Sequence, residues 1–214
     1  MRPIRTALIP LLIYSCALTS FGQISGTAHD FSTEIWAPAE NRMCGVCHTT
    51  HSAMNEPSAP LWNHQSTSVV SYTLYSSPTF DNHGGTTITN PNASSKLCLS
   101  CHDGTVALEN FGGITTGTTY ISSSNLVGGP SGNDLSREHP ISFEYTDALA
   151  ALDGGLYAPS STNSGLGGTI EQDMLFDNRL ECASCHDVHN RYGVAHLLKM
   201  SNNNSQLCLS CHNK

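Results

Sequence analysis

The amino-acid sequence predicts a mostly irregular chain, with short helices around a few repeated motifs and a core that the polypeptide does not supply by itself. Three observations carry this expectation. The pattern C-x-x-C-H occurs four times in 214 residues, at Cys44-Gly-Val-Cys47-His48, Cys98-Leu-Ser-Cys101-His102, Cys182-Ala-Ser-Cys185-His186 and Cys208-Leu-Ser-Cys211-His212. Charged residues make up only 12% of the chain, about half the ~25% of an average globular protein. Ser, Thr, Asn and Gly fill the gap, and the stretches Phe111 to Asp134 and Gly154 to Thr169 are rich in them with no helical period.

The motif itself names the missing core. In C-x-x-C-H the two thiols add across the vinyl groups of a porphyrin and the adjacent imidazole becomes an axial iron ligand. Four such motifs predict four covalently bound haem c groups, held by Cys44, Cys47, Cys98, Cys101, Cys182, Cys185, Cys208 and Cys211, with His48, His102, His186 and His212 on the irons. A pair of zinc sites built from C-x-x-C halves would leave the histidine after each second cysteine unexplained. A disulfide framework has no need of that histidine either. Four stacked porphyrins supply the apolar surface that the sequence lacks, and the chain without them is expected to be largely unfolded, because binding and folding are then coupled.

Taken in order, the chain opens with Arg2 and Arg5, the apolar run Ala7 to Leu18 and then small or polar residues, which reads as a signal peptide over 1–22. Cleavage before Gln23 discards Cys16 and leaves residues 23–214 as a single tetrahaem domain. The alternative is lipoprotein processing at Cys16, against which Tyr14 is bulky. No later apolar run approaches the ~18 residues needed to cross a bilayer. The protein is therefore expected to be secreted, at the cell surface or outside the cell, with the periplasm as the alternative. Losing Arg2 and Arg5 lowers the 9 Lys+Arg by two against 17 Asp+Glu and takes the net charge from −8 to −10, which makes nucleic acid and anionic membrane poor partners.

An arm from Gln23 to Met43 carries His29 beside Phe31, and the first motif follows. Ser52 to Asn63 is a loop punctuated by Pro57 and Pro60, with Leu61-Trp62 as a haem-packing pair. Val69 to Leu74 has strand character, His83-Gly84-Gly85 reads as a turn, and Thr146 to Leu152 as a short helix. The first and third motifs are doubled: His51 lies three residues after His48, and His189 three after His186. At helical spacing those pairs share one face, so neither second histidine reaches round the ring to the far side of the same iron. Each is expected to ligate a different haem. Each doubled motif is followed by a single one in nearly identical surroundings, Lys96-Leu-Cys98-Leu-Ser-Cys101-His102 and Gln206-Leu-Cys208-Leu-Ser-Cys211-His212, which makes an internal repeat.

Four irons need four further ligands, and His51, His189, His139 and His29 are the candidates. His139 precedes Pro140, which holds the backbone extended before an aromatic cluster. His64, His83 and His196 are read as bystanders, and the methionines as the weaker choice while imidazoles are in surplus. With histidine on both faces, every haem is six-coordinate and low in potential.

These residues carry a resemblance. Cys-Gly-Val-Cys-His-Thr-Thr-His51, Pro60-Leu-Trp-Asn63, Leu97-Cys-Leu-Ser-Cys-His-Asp-Gly-Thr-Val106, His139-Pro-Ile-Ser-Phe143 and Glu181-Cys-Ala-Ser-Cys-His-Asp-Val-His189 together resemble the secreted multihaem cytochromes with doubled motifs, and most of all the extracellular tetrahaem cytochromes that polymerise into filaments. The resemblance implies a continuous file of haems, a polypeptide dominated by coil, and one axial histidine donated to the adjacent subunit. Either His51 or His29 fills that role. The function expected is electron transfer without substrate chemistry, in a self-associating filament that serves redox proteins or an extracellular acceptor. A monomeric periplasmic shuttle is the alternative, and a multihaem reductase, which needs an open iron position, a further one.

Overall fold

The computed structural model describes residues 23–37, 43–56, 58–81 and 90–213. The signal-peptide reading of 1–22 and the turn at His83 lie outside them. Regular structure is sparse and short, as the composition predicts. The helices are α1 (Ala93–His102), α2 (Asp147–Asp153), α3 (Ile170–Met174), α4 (Cys182–Cys185) and α5 (Gln206–Leu209), and the strands β1 (Phe143–Glu144), β2 (Leu175–Phe176) and β3 (Arg179–Leu180). Single 3-10 turns at Phe31–Thr33, Ser123–Asn125, Ala195–Leu197 and Asn203–Ser205 punctuate the coil.

Local chemistry explains each helix. Asn92 caps α1 through its side-chain oxygen, which accepts from the Ala93 amide at 2.8 Å, and this is the helix that carries the second motif. The expected helix after Thr146 is present: the Thr146 hydroxyl accepts from the Leu149 amide at 3.2 Å, and Gly154 ends the helix in the left-handed region at φ 68°. Thr169 and Gln172 form a reciprocal capping box on α3. Without that box a five-residue helix has little to hold it.

β3 is the centre of a small antiparallel sheet ordered β1-β3-β2. Phe143 and Leu175 both pair with Leu180, and Glu144 and Phe176 with Arg179. β2 and β3 are joined through Asp177 and Asn178, both at positive φ (49° and 60°), the two-residue turn that matches strand twist. The sheet delivers β3 directly into Glu181 and Cys182, so it positions the third motif.

Apolar burial is split into three clusters. The largest gathers Phe143, Tyr145, Leu149, Ile170, Met174, Leu180 and Cys211. Ala37, Val46 and Phe111 form a second, and Tyr72, Leu99 and Leu135 a third. The chain thus buries more than the sequence promised, yet no single core spans it. One local expectation fails. Val69 to Leu74 forms no strand: Thr73 makes one isolated bridge to Asp134, and the Tyr72 amide is taken by the Asn90 side chain at 3.2 Å instead of a ladder. Beside buried Trp62, the Leu61 backbone turns at φ 56° and leaves its side chain 52% exposed.

Candidate haem sites

No disulfide joins the eight motif cysteines. Burial pushes Cys47 up to about 11, Cys101 up to about 12 and Cys185 up to about 11, which makes them poor thiolate nucleophiles. Cys98 and Cys182 lie within hydrogen-bonding reach of each other; that contact holds Cys182 below its ordinary value and Cys98 above. The second and third motifs, on α1 and α4, are therefore direct neighbours.

Three of the four motif histidines share one device. His48 Nδ1 donates to the Pro60 carbonyl at 2.9 Å, His102 Nδ1 to the Asn125 carbonyl at 2.9 Å, and His186 Nδ1 to the His196 carbonyl at 3.0 Å. His139 Nδ1 bonds the Pro140 carbonyl at 2.9 Å. With Nδ1 engaged as donor, Nε2 keeps its lone pair for a metal, and the ring orientation is fixed by the bond behind it.

The expected second ligands are brought to particular partners. His189 lies with its ring centroid 6.3 Å from that of His48, His29 lies 6.0 Å from His102, and His139 lies 6.3 Å from His212. Two imidazoles bound to opposite sides of one iron, through bonds of about 2.0 Å each, have centroids about 6 Å apart. The residues therefore fit a haem at each of these three places. His189 faces the first motif rather than its own. Its flanks are fixed by buried Asp187, which accepts from the His189 amide at 3.2 Å and from Arg191 Nε at 2.9 Å. Burial, with His102 and His186 nearby, lowers His29 to about 4, so its imidazole is neutral, as a ligand must be. Its Nδ1 is buried without a hydrogen-bond partner.

The third motif differs. Both His186 and His51 are exposed, and no ring pairing of the kind above involves either of them among the described residues. Of the bystanders, His196 is exposed, whereas His64 is fully buried. His64 Nδ1 bonds the Gln65 carbonyl at 2.9 Å and its Nε2 lies 3.6 Å from Cys101 Sγ. No sequence signal marked it. Trp62 packs edge-on against the His48 ring with centroids 6.3 Å apart.

Among the described residues no three His, Cys, Asp or Glu side chains gather as a metal-binding group. No described helix is long and apolar enough to cross a membrane.

Residues 176–214 match the family described as the doubled CXXCH motif. The matched stretch contains the third and fourth attachment sequences together with His189. It supports a multihaem c-type cytochrome working in electron transfer, with haem bound covalently through C-x-x-C-H. No curated protein and no solved structure matches the chain.

Proposed function

We propose that the chain carries four haem c groups, one on each motif, and works as the repeating subunit of an exported filament that conducts electrons outside the cell without catalysing a reaction on a substrate. The observation that supports this reading is the uneven distribution of imidazoles. Three motif histidines each face a second histidine at 6.0–6.3 Å, while His186 and His51 are left over, both exposed.

A leftover motif histidine and a leftover candidate ligand are complementary halves of one site. In the proposed filament His51 of one subunit completes the iron on His186 of the next, so that assembly and haem continuity form together. His29 is the rival donor, but its proximity to His102 argues for a role within its own chain. Electrons pass among haems whose coordination shells are complete; the polypeptide orients imidazoles, excludes water and fixes spacing.

The test is negative-stain microscopy of secreted protein together with His51→Ala. The variant should retain four haems by mass, lose long filaments and show one haem per subunit changed in spin state. Unaltered filaments would refute the assignment of His51. The exposed, unpaired His186 also favours a second reading, in which its iron keeps an open position for a small substrate such as nitrite or hydroxylamine. Uptake of cyanide by the assembled wild-type protein would support that reading, and its absence would support the filament.

A further inference from the structure

Glu181 is the side chain that the haem sites as described do not use. It is 1% exposed and immediately precedes Cys182. One carboxylate oxygen, Oε2, accepts from the Ser142 hydroxyl at 2.7 Å and also from the Ser95 hydroxyl. The other, Oε1, is buried with no hydrogen-bond partner. The other buried acids are satisfied: Asp103 by Tyr72, Thr67 and Thr105, and Asp187 by Arg191. A buried carboxylate with one bare oxygen is costly as an anion and much less so as an acid.

The site lies where two haem attachments meet. Ser95 is on α1, one turn before Cys98, and its Oγ also accepts from the Cys182 amide at 2.9 Å. Cys98 and Cys182 touch beside it. The charged group acting on Glu181 is Arg179 of β3. That guanidinium is committed elsewhere, to Glu144 at 3.0 Å and to the Ser142 carbonyl at 3.1 Å. The remaining faces offer Ser184, which closes a capping box with Glu181, its hydroxyl accepting from the Glu181 amide at 2.8 Å and its amide turned to the carboxylate, the Ser95 amide, and the Cys98 and Cys182 sulfurs, which are neutral once converted to thioethers. No cation is bonded to the carboxylate.

We infer that Glu181 is a redox-linked proton site: Oε1 takes one proton from water when one electron reaches the haem pair attached at Cys98 and Cys182, and returns it when the electron moves on. The electron comes from the neighbouring haem or a donor protein, so each step adds one negative and one positive charge and the buried junction keeps its net charge. Burial holds the carboxyl above the ordinary carboxylate range, against the opposing pull of the Ser95 and Ser142 hydroxyls, so the proton is exchanged closer to neutral pH than at a surface glutamate. The inference rests on the haem assignment made above.

The experiment uses the intact haem-loaded protein, with haem content measured first by mass. Redox-difference infrared spectra in H2O and D2O should show a protonated-carboxyl C=O band that appears on reduction, shifts with deuterium and disappears in Glu181→Gln. Spectroelectrochemical titration from pH 5 to 9 should show the potential of one haem pair falling as pH rises. The slope should reach at most a tenfold change in the reduced-to-oxidised ratio per pH unit, about 59 mV. In Glu181→Gln that pair should lie higher at alkaline pH with a flatter slope; the slope that remains belongs to haem propionates. A haem-loaded wild type with no such band, or equal slopes in both proteins, overturns the proton site and leaves the haem assignment intact. A chain without haem overturns both. The infrared measurement on wild type keeps the test decisive if the variant fails to fold.

Discussion

Replacing His189 by Ala tests the three-residue spacing most directly. In the wild type the two rings at the first motif stand 6.3 Å apart, room for one iron and two bonds of about 2.0 Å. Alanine ends at Cβ, so it leaves the whole imidazole, several Å of ligand, missing, and the bridge between His48 and Trp62 and the Pro60 bond to His48 hold the opposing ring where it is. If four haems are bound as proposed, one in four changes: about a quarter of the low-spin signal in magnetic spectra converts to high spin, and one cyanide binds per chain. The location of that haem is the decisive part. Removing the first attachment site by Cys44→Ala and Cys47→Ala should abolish any further spectral effect of His189→Ala, a complete non-additivity. If His189→Ala instead still converts a haem in the protein lacking the first attachment site, then His189 serves another motif, and the ring pairing has been misjudged.

Other outcomes follow from the same structure. Ile170 is fully buried in the largest cluster, and Ile170→Ala should lower unfolding stability by about 2–5 kcal/mol with all haems retained, as read by thermal melting and mass. Burial depresses the pKa of His64, so in the folded state it binds fewer protons than in the unfolded state at mildly acid pH; its contribution is complete above about 6.5, the unfolded value, and is lost as pH falls below it. Stability should decline there by at most about 1.4 kcal/mol per pH unit, and a melting series on His64→Asn should lack that component. Prolonged treatment with a chelator should change neither the absorbance nor the melting temperature, since thioether-bound porphyrin is not extracted; release of zinc into the chelator would restore the reading of paired zinc sites.

Much of the candidate site was legible in the sequence, because attachment chemistry is local. Four C-x-x-C-H motifs, the doubled histidines and the cap at Thr146 all act within a few residues. What was not legible depends on where the chain returns. Spacing said that His189 could not serve the iron on His186; only the fold brings it to His48, far away in the chain. Glu181 was indistinguishable from any residue before a motif until Ser95 and Ser142 closed over it. Trp62 and Leu61 looked alike as apolar neighbours, and a positive φ sends one inward and the other out. Val69 to Leu74 has strand composition but meets a side chain, Asn90, where a strand partner was needed.

The carbonyls that accept from the first three motif imidazoles lie 12, 23 and 10 residues from their histidines, whereas the rings that face His48 and His102, those of His189 and His29, arrive from distant parts of the sequence. Loops this short close on a far faster timescale than contacts of high sequence separation. Each of these three motifs can therefore present an oriented, single-tautomer imidazole beside its two thiols while the rest of the chain is still extended. Such a segment is then ready for attachment before the chain has folded, one porphyrin at a time. In the proposed haem-loaded chain, the long-range histidines would then close over irons already tethered, which would make their arrival the final step of maturation rather than its prerequisite.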